Sequence, residues 1–594
     1  MSDSYELAKC MQPQDVSDTP YESKVYNFIS DINSGVYSNN AQSLVQFNLS
    51  DIYTATQFVD MSQIYLTLPM VYTACYSSGN APVAPTANAG NEWLITPKSG
   101  SWNLIQSMEV QINGVSVIQQ TPQVGLHTNF KMLSQMSKDD LRTLGRTLGM
   151  QPDDVQSYLY NGTASATSAT TGAVCGNGLC NNMLMSIGAN GAVTVPNKDQ
   201  QNVVGTYSAL GAVYNTALQY RSQRIANNLT TPANGITGQL LSAQNFANEY
   251  RPCFAILNAN YMTWYDIAIV RLCDICDFFN KAPLTKNLNG MLRLYINTGA
   301  MGISLSKAQA GAMYLSGANS SFSNTCPFTI NQMPVANIPA TVTNLVVSCN
   351  IARSTVSTSI MGVQLSLSQG ASPMSTCRCY YPMIKLKPAV ALKYLSENSS
   401  KNIVFTNVLS NIFQSIPLGT FNTLVQSGVR NIRGILMIPY VAQSVNGKIV
   451  SMPDATPFTP AITPFSPISS PFDTAPCTTP LSLTQLNVSV GGLPIFPTYI
   501  NYTFENFLEN VTLYDKINAT DMGLSCGLFS QFAWENGMRY YYVDCSRGSL
   551  ADNNTPRNVT VTFNNNNLVP IDLYVFIEYY QTNSINCESG IISN

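Results

Sequence analysis

Histidine is the commonest general base and the commonest zinc-binding nitrogen, and this chain contains a single one, His127. Any Ser-His-Asp or Cys-His arrangement would have to run through it. It stands beside a turn on the approach to a predicted helix, where a structural or solvent-facing role is expected. Cys273-x-x-Cys276 is the one C-x-x-C pair, and zinc would need a second pair at suitable spacing. Cys253 is single, and Cys175 and Cys180 lie in a Gly-rich stretch. At i and i+3 on a helix beside Phe278 and Phe279, the two thiols read as small buried hydrophobes. Cys377 and Cys379 face the same way on a strand and suit a core face equally well. Asp139-Asp140 lies at a helix start, where acids are favoured electrostatically, and Asp153-Asp154 follows in a loop. Glycoside chemistry requires two carboxylates that converge in space, which spacing along the chain does not show. Gly176-Asn177-Gly178 is too short for a phosphate cradle. A Walker loop and an H-E-x-x-H helix are both absent from the sequence. Tyr540-Tyr541-Tyr542 and Tyr579-Tyr580 could stack bases or sugars, but within strands they read as half-buried fillers or subunit contacts. No catalytic, cofactor-binding or metal-ligating residue is assigned, and no cofactor is expected.

Composition narrows the class. Only 10% of the 594 residues are charged, against roughly 25% in ordinary soluble proteins. The polar remainder is Asn, Ser, Thr, Gln and Tyr, so the surface is neutral and rich in hydrogen-bonding groups. Low charge lowers the desolvation cost of packing one copy against another. Net charge is −3, and the Lys and Arg residues are scattered without a basic run, so no specific nucleic-acid site is expected. Met1 to Asp18 lacks the basic start and apolar run of a signal peptide. No stretch is long and apolar enough for a membrane span. The 15 cysteines are an odd number, and with no leader they are expected to stay reduced.

The elements that would position these residues come in two sets. Leu44 to Leu49 is echoed by Ile403 to Val408, Leu66 to Val71 by Leu436 to Val441, Val110 to Val117 by Val488 to Ile495, and Asn129-Phe130 by Asn506-Phe507. Four weak matches in collinear order point to two copies of a whole all-β domain, since solenoid periods are about 20–50 residues. Asn113-Gly114, between alternating apolar residues, is a hairpin signal. Ser137 to Asp140 resembles a capping box, followed by Leu141, Leu144 and Leu148 at helical spacing. In the second copy, Phe504, Phe507, Leu508 and Val511 do the same. Val559, Val561 and Phe563 share one strand face, as do Leu573, Val575 and Ile577. The organisation predicted is an N-terminal arm at 1–43 and a first jelly roll at 44–390, with long inserted loops at about 161–250. A linker at 391–399 leads to a second jelly roll at 400–582, which carries a Pro-rich loop at 442–480, and a tail at 583–594. The fold class is all-β: two consecutive eight-stranded jelly-roll β-sandwiches, with short helices and long loops inserted.

Several phrases carry a family resemblance: Arg430 to Pro439, the helix Asn501 to Phe507, Pro556 to Val561, Asp572 to Phe576, Leu272 to Phe279 and Leu292 to Asn297. In these the chain resembles the major capsid proteins of virophages and polinton-like viruses, and its length matches the Sputnik type best. The resemblance spans about residues 44–580; its motifs are diffuse and none is catalytic. It implies a non-enzymatic double jelly-roll subunit whose homotrimers, with a pseudo-sixfold outline, tile an icosahedral shell around double-stranded DNA. It also implies contacts with neighbouring capsomers and with penton and minor capsid proteins, and a place in the virion after synthesis in the host cytoplasm or a viral factory. The alternative is a viral spike or carbohydrate-binding β-sandwich protein that uses the Tyr-rich strands.

Overall fold

Side-chain alternation explains the strands. In Arg557–Asn565, Val559, Val561 and Phe563 are buried while Thr560 and Thr562 remain partly exposed, the period-two pattern of a strand with one face in a core. The computed structural model describes most of residues 19–150, 254–306 and 376–593. Stretches such as 84–94, 443–480, 515–525 and 547–554 fall outside that description, and between 151 and 375 it covers otherwise only separate strands.

Sixteen strands build two sandwiches. The first consists of β1 (Tyr21–Ser30), β2 (Gln42–Asn48), β3 (Tyr65–Ser78), β4 (Ile105–Ile112), β5 (Val115–Pro122), β6 (Tyr261–Arg271), β7 (Gly290–Asn297) and β8 (Arg378–Leu386). The second consists of β9 (Ser400–Ile416), β10 (Gly419–Val429), β11 (Ile432–Val441), β12 (Thr484–Val490), β13 (Leu493–Pro494), β14 (Tyr541–Asp544), β15 (Arg557–Asn565) and β16 (Ile571–Asn586). In the first, β1-β8-β3-β6 form one antiparallel sheet and β2-β7-β4-β5 the other. In the second, the sheets are β9-β16-β11-β14 and β10-β15-β12-β13. The order is the same in both: first, eighth, third and sixth strands against second, seventh, fourth and fifth. This is the double-sheet jelly roll, present twice. Between β7 and β8, Asn344–Ile351 adds to the flank of β3, and Gly299–Ser306 adds to that strand in turn.

Each sandwich carries a helix in the same place, after the fifth strand: α1 (Val124–Gln135) and α3 (Phe504–Tyr514). α2 (Pro388–Glu397) joins the two halves, and its buried Tyr394 donates to the Leu284 carbonyl at 3.2 Å. One continuous hydrophobic cluster runs from Phe47 and Leu68 in the first sandwich to Phe563 and Val575 in the second.

Three sequence expectations need correcting. The expected arm at 1–43 contains β1, which pairs along β8 from Tyr21↔Leu386 to Ser30↔Arg378. β1 is an edge strand exposed on nearly every residue, so it lacks the apolar alternation that announces a half-buried strand. Once β1 is counted, Leu44 to Leu49 belongs to a second strand, whereas its supposed echo, Ile403 to Val408, lies in the first strand of its sandwich. The expected tail at 583–594 is also built in: β16 reaches Asn586, and Ile592–Ser593 folds back on it through Ile585↔Ile592. Finally, the main helix of the first half is α1, ahead of the Ser137 capping box; that box exists and caps a second, short helical stretch, Lys138–Asp140 running on into Leu141–Gly145. The loop expected at 161–250 lies outside the described residues, apart from the paired segments Ser186–Ile187 and Val193–Thr194, and so does nearly all of 442–480.

The hairpin expected at Asn113-Gly114 is present, and its counterpart in the second copy turns at Gly491-Gly492. Asn113 and Gly114 have φ +50° and +78°, and Gly491 and Gly492 +62° and +83°, the pair of positive values that a type I′ turn requires. The space around Gly492 is open, so a side chain there meets backbone strain alone. Gly492→Val should therefore cost about 1–2 kcal/mol and lower Tm, while Gly492→Asn stays close to wild type. Thermal melts of both variants check this; an unshifted Gly492→Val would refute the turn's energetic role.

Candidate functional site at the seam between the sandwiches

α1 is buried from Val124 to Ser134, on all sides. Its sequence is not that of a core helix: His127, Thr128, Asn129, Lys131 and Ser134 are all polar, and a buried polar group is costly without a partner. Each of them has one. Thr128 and Ser134 hydroxyls donate to the Val124 and Lys131 carbonyls, both at 2.9 Å. Asn129 Oδ1 accepts from Trp102 Nε1 at 2.6 Å, and its amide donates to Asn103 Oδ1 at 3.0 Å. Lys131 Nζ donates to the carbonyls of Cys273 and Asp274 at 3.1 and 3.0 Å. His127 reaches into the other half of the chain: its Nε2 lies 2.6 Å from Oε1 of Glu578 on β16.

Glu578 is fully buried, and its Oε2 accepts from the Tyr542 hydroxyl at 3.2 Å. Burial alone would raise its pKa. The hydrogen bond from His127, the positive field of His127 and Arg433 and the Tyr542 hydroxyl outweigh that and hold the carboxyl below its ordinary value. An ionised carboxylate only accepts, so His127 Nε2 carries the shared proton. Around this polar pair the seam is aromatic. Phe130 of α1 lies 5.3 Å from Tyr542 and 5.8 Å from Tyr540, and His127 lies 5.8 Å from Phe576. Backbone groups add to it: Leu528 N donates to Leu133 O at 2.8 Å, Thr406 N to Asp277 Oδ2 at 3.1 Å and Lys286 N to Cys587 O at 2.9 Å. The face of β9-β16-β11-β14 that points away from its own sandwich is thus covered by the first half.

A cleft of about 240 Å³ remains in the seam, lined by Lys131, Asp277, Arg433 and Glu578 together with Val404 and Val408. Four of its charged groups are engaged with the protein itself: Arg433 donates to the Thr406 hydroxyl at 3.1 Å, and Asp277, Lys131 and Glu578 make the contacts already given. The arrangement clamps two sandwiches together.

The residues singled out in the sequence are dispersed by the fold. His127 takes the structural role, inside the seam. Cys273 and Cys276 sit in the core near α1, where burial pushes their thiols up to about 11 and 12. Cys377 and Cys379 share the inner face of β8 and its N-terminal approach, both fully buried. Asp140 closes the capping box and Asp139 is exposed. Tyr540, Tyr541 and Tyr542 are all buried, so that run offers no stacking platform to solvent. Tyr580 is exposed and Tyr579 partly so. Asp153, Asp154, Cys175, Cys180, Cys253 and Gly176 to Gly178 lie outside the described residues. Among the described residues no three His, Cys, Asp or Glu side chains converge on a metal-sized site, and no helix is long and apolar enough to cross a membrane. Sequence reasoning missed Glu578. Its signal was an acid closing the apolar run Leu573 to Ile577.

No family model and no curated protein matches the chain. Among solved structures it is similar to the cryo-EM structure of the Sputnik virophage, with TM-score 0.47 and 10% identity over 98% of this chain and 90% of that one. It is similar to the Faustovirus major capsid protein, with TM-score 0.40 and 8% identity over 96% and 92%. It is also similar to the mavirus major capsid protein, with TM-score 0.39 and 8% identity over 99% and 92%. The strand order itself defines the class: this is a double jelly-roll protein.

Leaving a buried carboxylate without its hydrogen-bond donor costs about 3–5 kcal/mol. His127→Ala should therefore destabilise the whole chain by that order, with Glu578→Gln milder because it keeps an acceptor for the imidazole. A carboxyl with a depressed folded pKa stabilises above its unfolded value and loses that contribution as pH falls through the folded one. The acid side of the wild-type stability profile should accordingly be steeper than that of Glu578→Gln. Chemical denaturation from neutral to acid pH measures both; parallel profiles would refute the role of the pair.

Proposed function

We propose that the chain is a major capsid protein that assembles as pseudo-hexameric trimers into the icosahedral shell of a small double-stranded DNA virus. The observation that carries this is the doubled jelly roll on one continuous core. Two like wedges held rigidly side by side give three copies a near-sixfold outline. The low charge of the chain suits a subunit whose surface is largely given over to copies of itself. The family resemblance in Arg430 to Pro439 and Asn501 to Phe507 supports the same reading. On it the protein is non-enzymatic, resides in the virion and meets neighbouring capsomers and penton and minor capsid proteins. The sugar-binding alternative loses its main support because Tyr540, Tyr541 and Tyr542 are buried.

Light scattering on the purified chain should give three times 64.6 kDa, and negative-stain images should show pseudo-hexagonal particles. A monomer across a wide concentration range would overturn the proposal.

A further inference from the structure

The seam leaves one helix and one sheet face in each chain without the cover that their counterparts have. α1 is buried all round because the second sandwich lies on it. α3 holds the same position after its fifth strand, yet only one side is covered: Phe507 and Val511 are buried while Glu505 and Glu509 are exposed. The sheets show the converse. On β9-β16-β11-β14 the outward residues Phe576 and Glu578 lie beneath α1. On β1-β8-β3 the outward residues include a row of rings, exposed at Tyr26 and Phe28 and half-buried at Tyr65 and Tyr380. Tyr65 stacks on Tyr380 at 4.9 Å, Phe28 lies 5.4 Å from Tyr380 and Tyr26 lies 6.2 Å from Tyr65. The Arg378 guanidinium sits 4.5 Å from the Phe28 ring, and Lys24 flanks Tyr26 at 5.7 Å. Phe28 is 47% and Tyr26 46% exposed. Clustered aromatic residues with arginine are the composition of an interface centre.

We propose that this row on β1, β8 and β3 is the seat for α3 of a second copy of the chain, so that the contact between chains repeats the contact within one. The inference rests on the trimer reading given above and names the surfaces that build it. Charge agrees with it: Glu505 and Glu509 on the exposed side of α3 face Arg378 and Lys24 on the row. Each copy offers one helix and one face, different patches on one molecule, so the contact is heterologous and joins copies head to tail until the ring closes. A trimer then holds six like contacts, alternately within and between chains.

Two full-length variants test this. Phe28→Glu with Tyr380→Glu spoils the face, and Glu505→Lys with Glu509→Lys spoils the helix. Each alone should lose the trimer and run as a folded monomer by light scattering and near-UV circular dichroism. An equal mixture should form heterodimers and go no further, because the intact α3 of the first seats on the intact face of the second. Should the face variant lose its fold, Arg378→Glu, a change at a partly exposed side chain, is expected to weaken the trimer at least tenfold in midpoint concentration. A face variant that forms trimers as well as wild type would overturn the assignment and leave the trimer standing, as would folded monomers that give no heterodimer. A monomeric wild type would instead remove the trimer itself.

Discussion

A helix buried on every side must find a partner for each of its polar groups inside the protein. α1 meets that demand only because both sandwiches surround it. Trp102 and Asn103 on its own side take Asn129, the carbonyls of Cys273 and Asp274 take Lys131, and Glu578 on the far side takes His127. An apolar helix in this place could slide, since hydrophobic contact has no direction. Hydrogen bonds to Asn129, Lys131 and His127 have direction, so they set the position of one sandwich on the other. The low-dielectric setting raises the cost of leaving any of them unmade.

The rest of the architecture is consistent with that clamp. The second sandwich turns toward the first a sheet face that a solitary jelly roll would expose, and β16 is accordingly buried on both faces from Ile571 to Glu578. The C-terminal end of the chain reinforces the seam: Lys286 N donates to Cys587 O, and the Asn287 amide donates to the Glu588 carbonyl. Two domains that share one core and a polar lock are held as one body. The two halves are alike in strand order and unlike in their surroundings. One helix and one sheet face are used within the chain; the other helix and the other face remain open.

Local chemistry accounts for much that was legible in the sequence. Asn113-Gly114 and Gly491-Gly492 announce their turns because few residues accept positive φ at both central positions. β15 and α3 announce themselves because each has one face in a core and one toward solvent, so their periods of two and of roughly three to four stand out. The repeat was correctly sensed after β4 and β12, where those turn signals pin the register. It failed at the start of the first copy. β1 is exposed on nearly every residue and carries no period, so the chain seemed to begin one strand late.

Alternation, turn chemistry and composition act over a few residues, so the class of the fold, the two-copy plan and the burial of Cys273, Cys276, Cys377 and Cys379 were all legible in the chain. Tertiary structure decided the rest. It made β1 a member of the first sheet, which depends on the neighbouring edge of β8. It joined His127 to Glu578, 451 positions apart, because desolvated polar groups are paired by the packing of whole sheets, a relation that no spacing along the chain records. It also chose which of two like helices would be enclosed and which left facing outward, since that follows from the order in which two similar bodies meet.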